Sequence, residues 1–307
     1  MADTPVVASV AIPAAPDTGM SNWSTPYRRA LQLLWQDRAG RVALCFLSML
    51  AGAAVLAPWI APYDPARVLD AIALKSIPPS ASHWFGTDET SRDVFSRMLF
   101  GARISLAVAA LSALLASVVG LLYGGIAGFV GGHVESVLMR LVDAMLAIPR
   151  ILFVMTILSL WGEIGASALV LVLGGTGWFP VARLARAEAA ALRHRDFVLA
   201  VQALGAGPRR VFVRHILPHT LGPVLVAATI AVGQVVVLEA GLSYLGYGLR
   251  APAPTWGNII ADGRTTISTT WWMTLFPGLA LVGTALAVNT VADRLRAALN
   301  PRQLPAR

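Results

Sequence analysis

Long apolar runs separated by short polar breaks organise this chain. A helix rises about 1.5 Å per residue, so about 20 consecutive apolar residues cross the hydrocarbon core of a bilayer. The runs predict six spanning helices, near residues 42–61, 103–130, 137–161, 165–182, 220–240 and 272–292. Residues 1–27 are rich in Ala, Pro, Ser and Thr, lack a basic start, and are expected to form a disordered tail. The first apolar run outlasts the roughly 7–15-residue core of a signal peptide and follows Arg28, Arg29, Arg38 and Arg41. It is therefore expected to stay as an uncleaved anchor.

Composition agrees with that pattern. The chain is 56% hydrophobic and 13% charged, whereas a soluble domain carries about 25% charged residues. A net charge of +8 suggests nucleic acid, but Lys75 is the only lysine and the arginines flank apolar runs, as at membrane boundaries. Cys45 is the only cysteine, so no intrachain disulfide can form; its place in the first run predicts a buried structural thiol. With the N-terminus inside, the inner segments hold 16 Arg and Lys residues and the outer segments 7. That excess places both termini in the cytoplasm.

One polar island breaks the apolar pattern. Between Arg183 and Pro218 lie seven arginines: 183, 186, 193, 195, 209, 210 and 214. Unpaired charge is costly in hydrocarbon, so this segment is expected to project into water. Asp196 is the expected N-cap of a short helix with Phe197, Val198, Val201 and Leu204 at helical spacing. Gly205 is its expected C-terminal stop. Pro208 suits the first turn of a second helix, RRVFVRHIL, expected to end before Pro218.

At these positions the sequence resembles a known motif: EAA, three residues, Gly, nine residues, then a branched residue before Leu-Pro. Ala200, Gly205, Leu217 and Pro218 match, while Leu199 replaces Glu and Val201 the last Ala. Four further blocks resemble the dipeptide/oligopeptide permeases of bacterial ABC importers: FGTDETSRDVFSRMLFGARISL (85–106), GFVGGHVESVLMRLVDAMLAIP (128–149), EAGLSYLGYGLRAPAPTWG (239–257) and a tail from WWMTLFPG to LNPR (271–302). Departures are Ser91 in place of Gly, Arg150 after Pro149, and Asn300 in place of Asp.

The resemblance implies an all-α, polytopic inner-membrane protein. It would comprise a six-helix permease domain over 28–302, a cytoplasmic coupling loop over 184–218 and a tail over 303–307. Asp196, Phe197, Val198, Ala200, Val201, Leu204, Gly205, Ala206 and Gly207 would dock on a cytoplasmic ATPase. The implied partners are a homologous second permease subunit, two ATPase subunits and a periplasmic or lipid-anchored substrate-binding protein. ATP and magnesium would sit on the ATPases and no cofactor in this chain. Cargo would be dipeptides or oligopeptides, or alternatively nickel chelates or glutathione.

Other features carry expectations of their own. A phosphate loop needs G-x-x-x-x-G-K-[ST], and Lys75 lies in no such motif, so the chain is not expected to hydrolyse ATP. Gly120, Gly124 and Gly128 allow close helix approach, either at a subunit interface or within the subunit. Arg140 and Asp143 are spaced to pair on one helix face. Pro149 is expected to kink the third span. Asp143, Arg150 and Glu239 are candidates for the translocation path; Glu239 has the alternative of tying down the loop that follows it. Asp88/Arg92 and Asp93/Arg97 suggest an amphipathic helix at the outer surface, either receiving the binding protein or merely sealing the pore mouth. Trp256, Trp271 and Trp272 suit the membrane interface. The scattered histidines make no zinc site, and Ser243 lacks a later histidine for a serine-protease arrangement. A secondary transporter or channel is the rival from another class, since six spans alone would permit it.

Overall fold

A computed structural model describes residues 32, 34–161, 165–249 and 252–299. The expected tails, 1–27 and 303–307, lie outside the described residues, as do Arg250 and Asn300. Among the described residues the chain is all-helical, with a lone antiparallel bridge between Thr87 and Asp93. Five helices are long and apolar enough to cross a membrane, and a bent pair has together the length and composition for a sixth crossing.

Helix α1 spans Arg38–Val55, with Asp37 accepting from the Gly40 amide at 2.9 Å, and the one-turn α2 covers Ala57–Ile60. Cys45 is exposed on α1, which lies at the periphery, so the expected buried thiol faces out of the bundle. Helix α3, Val94–Val130, starts nine residues before the expected 103 because Asp93 caps it, accepting from the Ser96 amide at 2.8 Å. Helices α4, Gly132–Leu146, and α5, Arg150–Trp161, meet at 83°. The expected kink is thus a full break: Pro149 lacks an N–H and forces Ile148 away from helical geometry, and α5 restarts with the Phe153 amide on the Pro149 carbonyl at 3.2 Å.

Helix α6 runs Ala166–Arg193, well past the expected end at 182, because the alanine-rich stretch to Arg193 favours helix despite its charges. Helix α7, Asp196–Ala203, is the short crosspiece. Helix α8, Pro208–Val211, passes through a wide π-type turn, Phe212–Ile216, into α9, Leu217–Tyr244. The expected stop at Pro218 does not occur. In the wide turn the Leu217 amide bonds the Phe212 carbonyl, five residues back, which makes room for the proline ring that an α-turn would obstruct. Helices α10, Trp256–Asp262, and α11, Trp272–Leu299, complete the chain.

The tightest seam joins α3 to α6, which run parallel. A Cβ on Gly120 would lie 2.6 Å from the Val181 Cβ, on Gly124 2.0 Å from the Ala182 oxygen, and on Gly128 2.3 Å from the Arg186 oxygen. The three glycines therefore serve packing within the subunit. In lipid no hydrophobic drive holds helices together, and such backbone contact supplies dispersion instead. Behind the seam, Val94, Leu158, Leu173, Val235, Leu242, Trp256, Ile259 and Met273 form a buried core. Asp37 pairs with Arg294 near the end of α11 at 2.9 Å, so the first and last helices meet at the end of the bundle that carries α7.

Gly124→Leu is expected to abolish most of the monodisperse yield of the isolated subunit, measured by size-exclusion chromatography in detergent. Gly175→Ala on α6, where a Cβ meets nothing within 4 Å, is expected to leave that yield unchanged.

Candidate functional site: the crosspiece helix and the cavity above it

Helix α7 is locked on the face it turns to the bundle and bare on the opposite face. Val198 is fully buried with Ala189, Val211 and Ile216, and Val201 and Ala206 pack on the same cluster. The expected N-cap Asp196 instead occupies the first helical position; Arg195 is the cap and its side chain makes no capping bond. The Asp196 carboxylate still sits at the positive end of the helix dipole. Gly205 stops the helix as expected: its φ is +83°, its amide bonds the Gln202 carbonyl at 2.9 Å, and the Ala206 amide reaches back to Val201 at 3.2 Å. These paired bonds satisfy carbonyls that the helix end would leave open, and only glycine takes that φ without strain. Gly207 then leads into Pro208 at the first turn of α8.

Phe197, Leu199 and Leu204 are exposed on the opposite face, Leu204 at 88%. Ala200 is exposed among them. A water-facing helix gains nothing by displaying large apolar side chains, and such a patch marks a contact surface.

Above this crosspiece lies a cavity of about 730 Å³, enclosed mainly by α3, α6, α9 and the end of α11. Its wall is largely apolar, with Arg150, Glu188, Arg195, Gln234 and Arg296 as its polar groups. Of the three path candidates, Arg150 lines this space and Asp143 and Glu239 do not. Asp143 pairs with Arg183, not with Arg140 as its spacing suggested; a side chain on a neighbouring helix reaches it better than one on its own. Arg186 and Glu135, 3.2 Å apart, make a second link between α6 and α4. Glu239 is buried and accepts from Ser243 Oγ at 2.8 Å and Ser105 Oγ at 3.2 Å, and Ser105 Oγ in turn accepts from the Trp256 amide at 3.3 Å. It joins α9, α3 and the start of α10.

The opposite end of the bundle is closed by ion pairs. Of the segment 83–106, expected to form an outer helix leading into the second span, only the part from Val94 on is helical; residues 83–93 are a set of turns, because Asp88 Oδ1 accepts from the Thr90 and Arg92 amides and so competes with a helical ladder. Asp88 pairs with Arg92 at 2.7 Å and with Arg97 at 2.5 Å, and Arg97 continues to Asp262 of α10 at 2.7 Å. Asp93, expected to pair with Arg97, meets His83 Nδ1 at 2.9 Å instead. Burial pushes the Asp88 carboxyl up, but the Arg97 guanidinium, the Arg92 amide and the Arg92 guanidinium outweigh it and hold the group below its ordinary value. Trp256 and Trp272 are buried rather than interfacial, their indole N–H groups donating to the Met98 and Thr87 carbonyls at 3.2 and 3.1 Å. Trp271 remains exposed.

Sequence spacing did not reveal Glu188, Arg195, Gln234 and Arg296 as neighbours, because they lie on α6, the turn before α7, α9 and α11. Arg193 was also missed: its Nη1 donates to the Phe129 and Val130 carbonyls at 3.3 and 3.2 Å, covering the end of α3.

Comparison with known proteins places this arrangement in company. Residues 120–304 match the family described as binding-protein-dependent transport system inner membrane component. Residues 25–79 match the N-terminal TM domain of oligopeptide transport permease C. The dipeptide transport system permease protein of Bacillus subtilis is 37% identical over 86% of this chain and 81% of its own length. A candidate peptide permease protein of Brucella suis is 39% identical over 90% of this chain and 91% of its own. A candidate peptide transport system permease protein of Brucella abortus is 38% identical over 94% of each.

Asp88 supplies a test of the ion-paired end. Its depressed acidity means that its stabilisation is complete above the unfolded-state value and disappears as pH falls through the folded-state value. Asp88→Asn is expected to cost about 3 kcal/mol at neutral pH, because it removes the buried partner of Arg97 and leaves that guanidinium with only the part-exposed Asp262. Thermal melts of the two proteins should differ by a constant gap from neutral pH down to about 5, and the gap should shrink as the pH falls through and below the ordinary carboxylate range of about 4.

Proposed function

Because this chain belongs to the binding-protein-dependent transport system inner membrane components, we propose that it forms one half of the pore of an ATP-driven importer. Dipeptides, oligopeptides or similar small solutes pass inward through it by alternating access. A homologous second permease subunit supplies the other half of the pore. Two ATPase subunits, which hold ATP and magnesium, dock at the α7 end in the cytoplasm. A substrate-binding protein delivers cargo at the end closed by Asp88, Arg97 and Asp262. Both termini then lie in the cytoplasm, and the chain itself performs no hydrolysis.

The observation that carries this reading is the two-faced crosspiece. Val198 fixes α7 to α6 and α8 while Leu199 and Leu204 stay bare and Phe197 is left partly exposed beside the His219 ring. A helix built this way transmits a push from a soluble partner to the helices beneath it, because its buried face cannot slide without moving them. A channel or secondary transporter has no use for such a display. The relatives named above support peptides as cargo over nickel chelates or glutathione, which share the architecture.

Leu204→Asp and Gly205→Pro in the assembled importer are expected to lower peptide uptake into proteoliposomes by at least about tenfold while ATP hydrolysis persists. Leu204→Asp puts a charge on the docking face, and Gly205→Pro removes the positive-φ stop. Uptake unchanged in both variants would refute the docking role. Ala206→Cys, introduced with Cys45→Ser, is expected to react with a membrane-impermeant thiol reagent only from the cytoplasmic side; labelling from outside would invert the arrangement.

A further inference from the structure

The cavity is graded in depth, and its deepest charged group is a cation. Arg150 opens α5 and points across to α6, where its Nη2 donates to the Leu173 carbonyl at 2.8 Å. Gly177 makes the room: a Cβ there would lie 2.9 Å from that same nitrogen. Ala116 of α3 lines the cavity beside Arg150 and is 14 residues before the end of α3 at Val130. That places Arg150 roughly 21 Å along the helix from the α7 end, deep in the hydrocarbon zone, whereas Arg195 and Arg296 lie at the mouth. An arginine at such depth is costly and is found where it faces protein or a water-filled path.

Its bonding is incomplete. Among the described residues no group accepts from Arg150 Nε, which is enclosed, and the Leu173 carbonyl is the sole acceptor for the guanidinium. The nearest charged lining residues add two cations, Arg195 and Arg296, against one anion, Glu188. The enclosed Nε lies out of a ligand's reach, and the Nη1–Nη2 side, with one bond to Leu173, is the planar edge left to bind a carboxylate through two parallel bonds. Low surrounding polarity strengthens such a bond relative to water. Every peptide carries one group of this kind at its C-terminus, whatever its side chains.

Resting on the importer reading above, the geometry points to Arg150 as the residue that receives the C-terminal carboxylate of a peptide in transit, making the path selective for free-acid peptides. Arg150 then reads the one feature that free-acid peptides share. Lysine in its place would keep the charge but lose the planar edge.

The test uses the assembled importer in lipid nanodiscs without nucleotide or binding protein, so that the pore alone is sampled. Saturation-transfer NMR at millimolar peptide compares trialanine with trialanine amide. The wild-type complex is expected to give a signal for the free acid at least about fivefold above the amide, in line with a charge-assisted hydrogen bond. Arg150→Gln should bring the two signals level without lowering the amide signal, and Arg150→Lys should retain part of the preference. Equal signals in the wild type, absence of both, or a preference that survives Arg150→Gln would overturn the proposal. ATP-dependent uptake of trialanine by the wild-type importer is measured in parallel. Its presence with an unchanged acid-to-amide ratio sinks this inference alone, whereas its absence for any peptide sinks the importer reading.

Discussion

The close seam between α3 and α6 is the constraint on which the rest of the bundle depends. Three glycines at four-residue spacing let two backbones touch over three turns. Nothing weaker would serve in lipid, where side chains gain no advantage by turning away from their surroundings. Once that pair is fixed, α4 is braced against α6 by Arg183–Asp143 and Arg186–Glu135. Arg150 can then reach Leu173, and the space between α6 and α9 becomes a cavity rather than a packed core.

The two ends of the bundle solve opposite problems. At the α7 end the Val198 cluster holds one face of the crosspiece while Leu199 and Leu204 stay exposed on the other. At the other end a long irregular segment between α2 and α3 must be held down without helical hydrogen bonds. Asp88, Arg97 and Asp262 do this across more than 160 residues of sequence, with the Trp272 indole bonded to the Thr87 carbonyl nearby. Burying such a network is worthwhile only if its members are all paired, since removing one leaves a charge stranded.

Much of this was legible in the residue pattern, and the failures share a cause. Run lengths gave the helices because hydrophobic length is a local property. Gly205 and Pro208 announced the stop and restart around α7 because their backbone preferences need no tertiary partner. Asp143, Asp93, Arg195 and Arg296 were misread or missed because partner choice depends on which helix lies alongside. Local spacing is silent on that. Trp256 and Trp272 carry the composition of an interfacial belt, yet each finds a buried carbonyl for its N–H, which only packing could disclose. Pro218 was read as a stop since a lone proline ends most helices; the wide turn ahead of it removes the reason to stop.

That wide turn has a mechanical consequence. Because the helix does not end at Pro218, Pro208–Tyr244 forms one strut of 37 residues, about 55 Å from tip to tip. Its lower tip sits against the crosspiece and its upper tip beside the ion-paired cap. Rocking such a beam by about ten degrees about its base would sweep the far tip by nearly 10 Å at that length. A single extra residue in one helical turn thus turns two separate pieces into a lever arm.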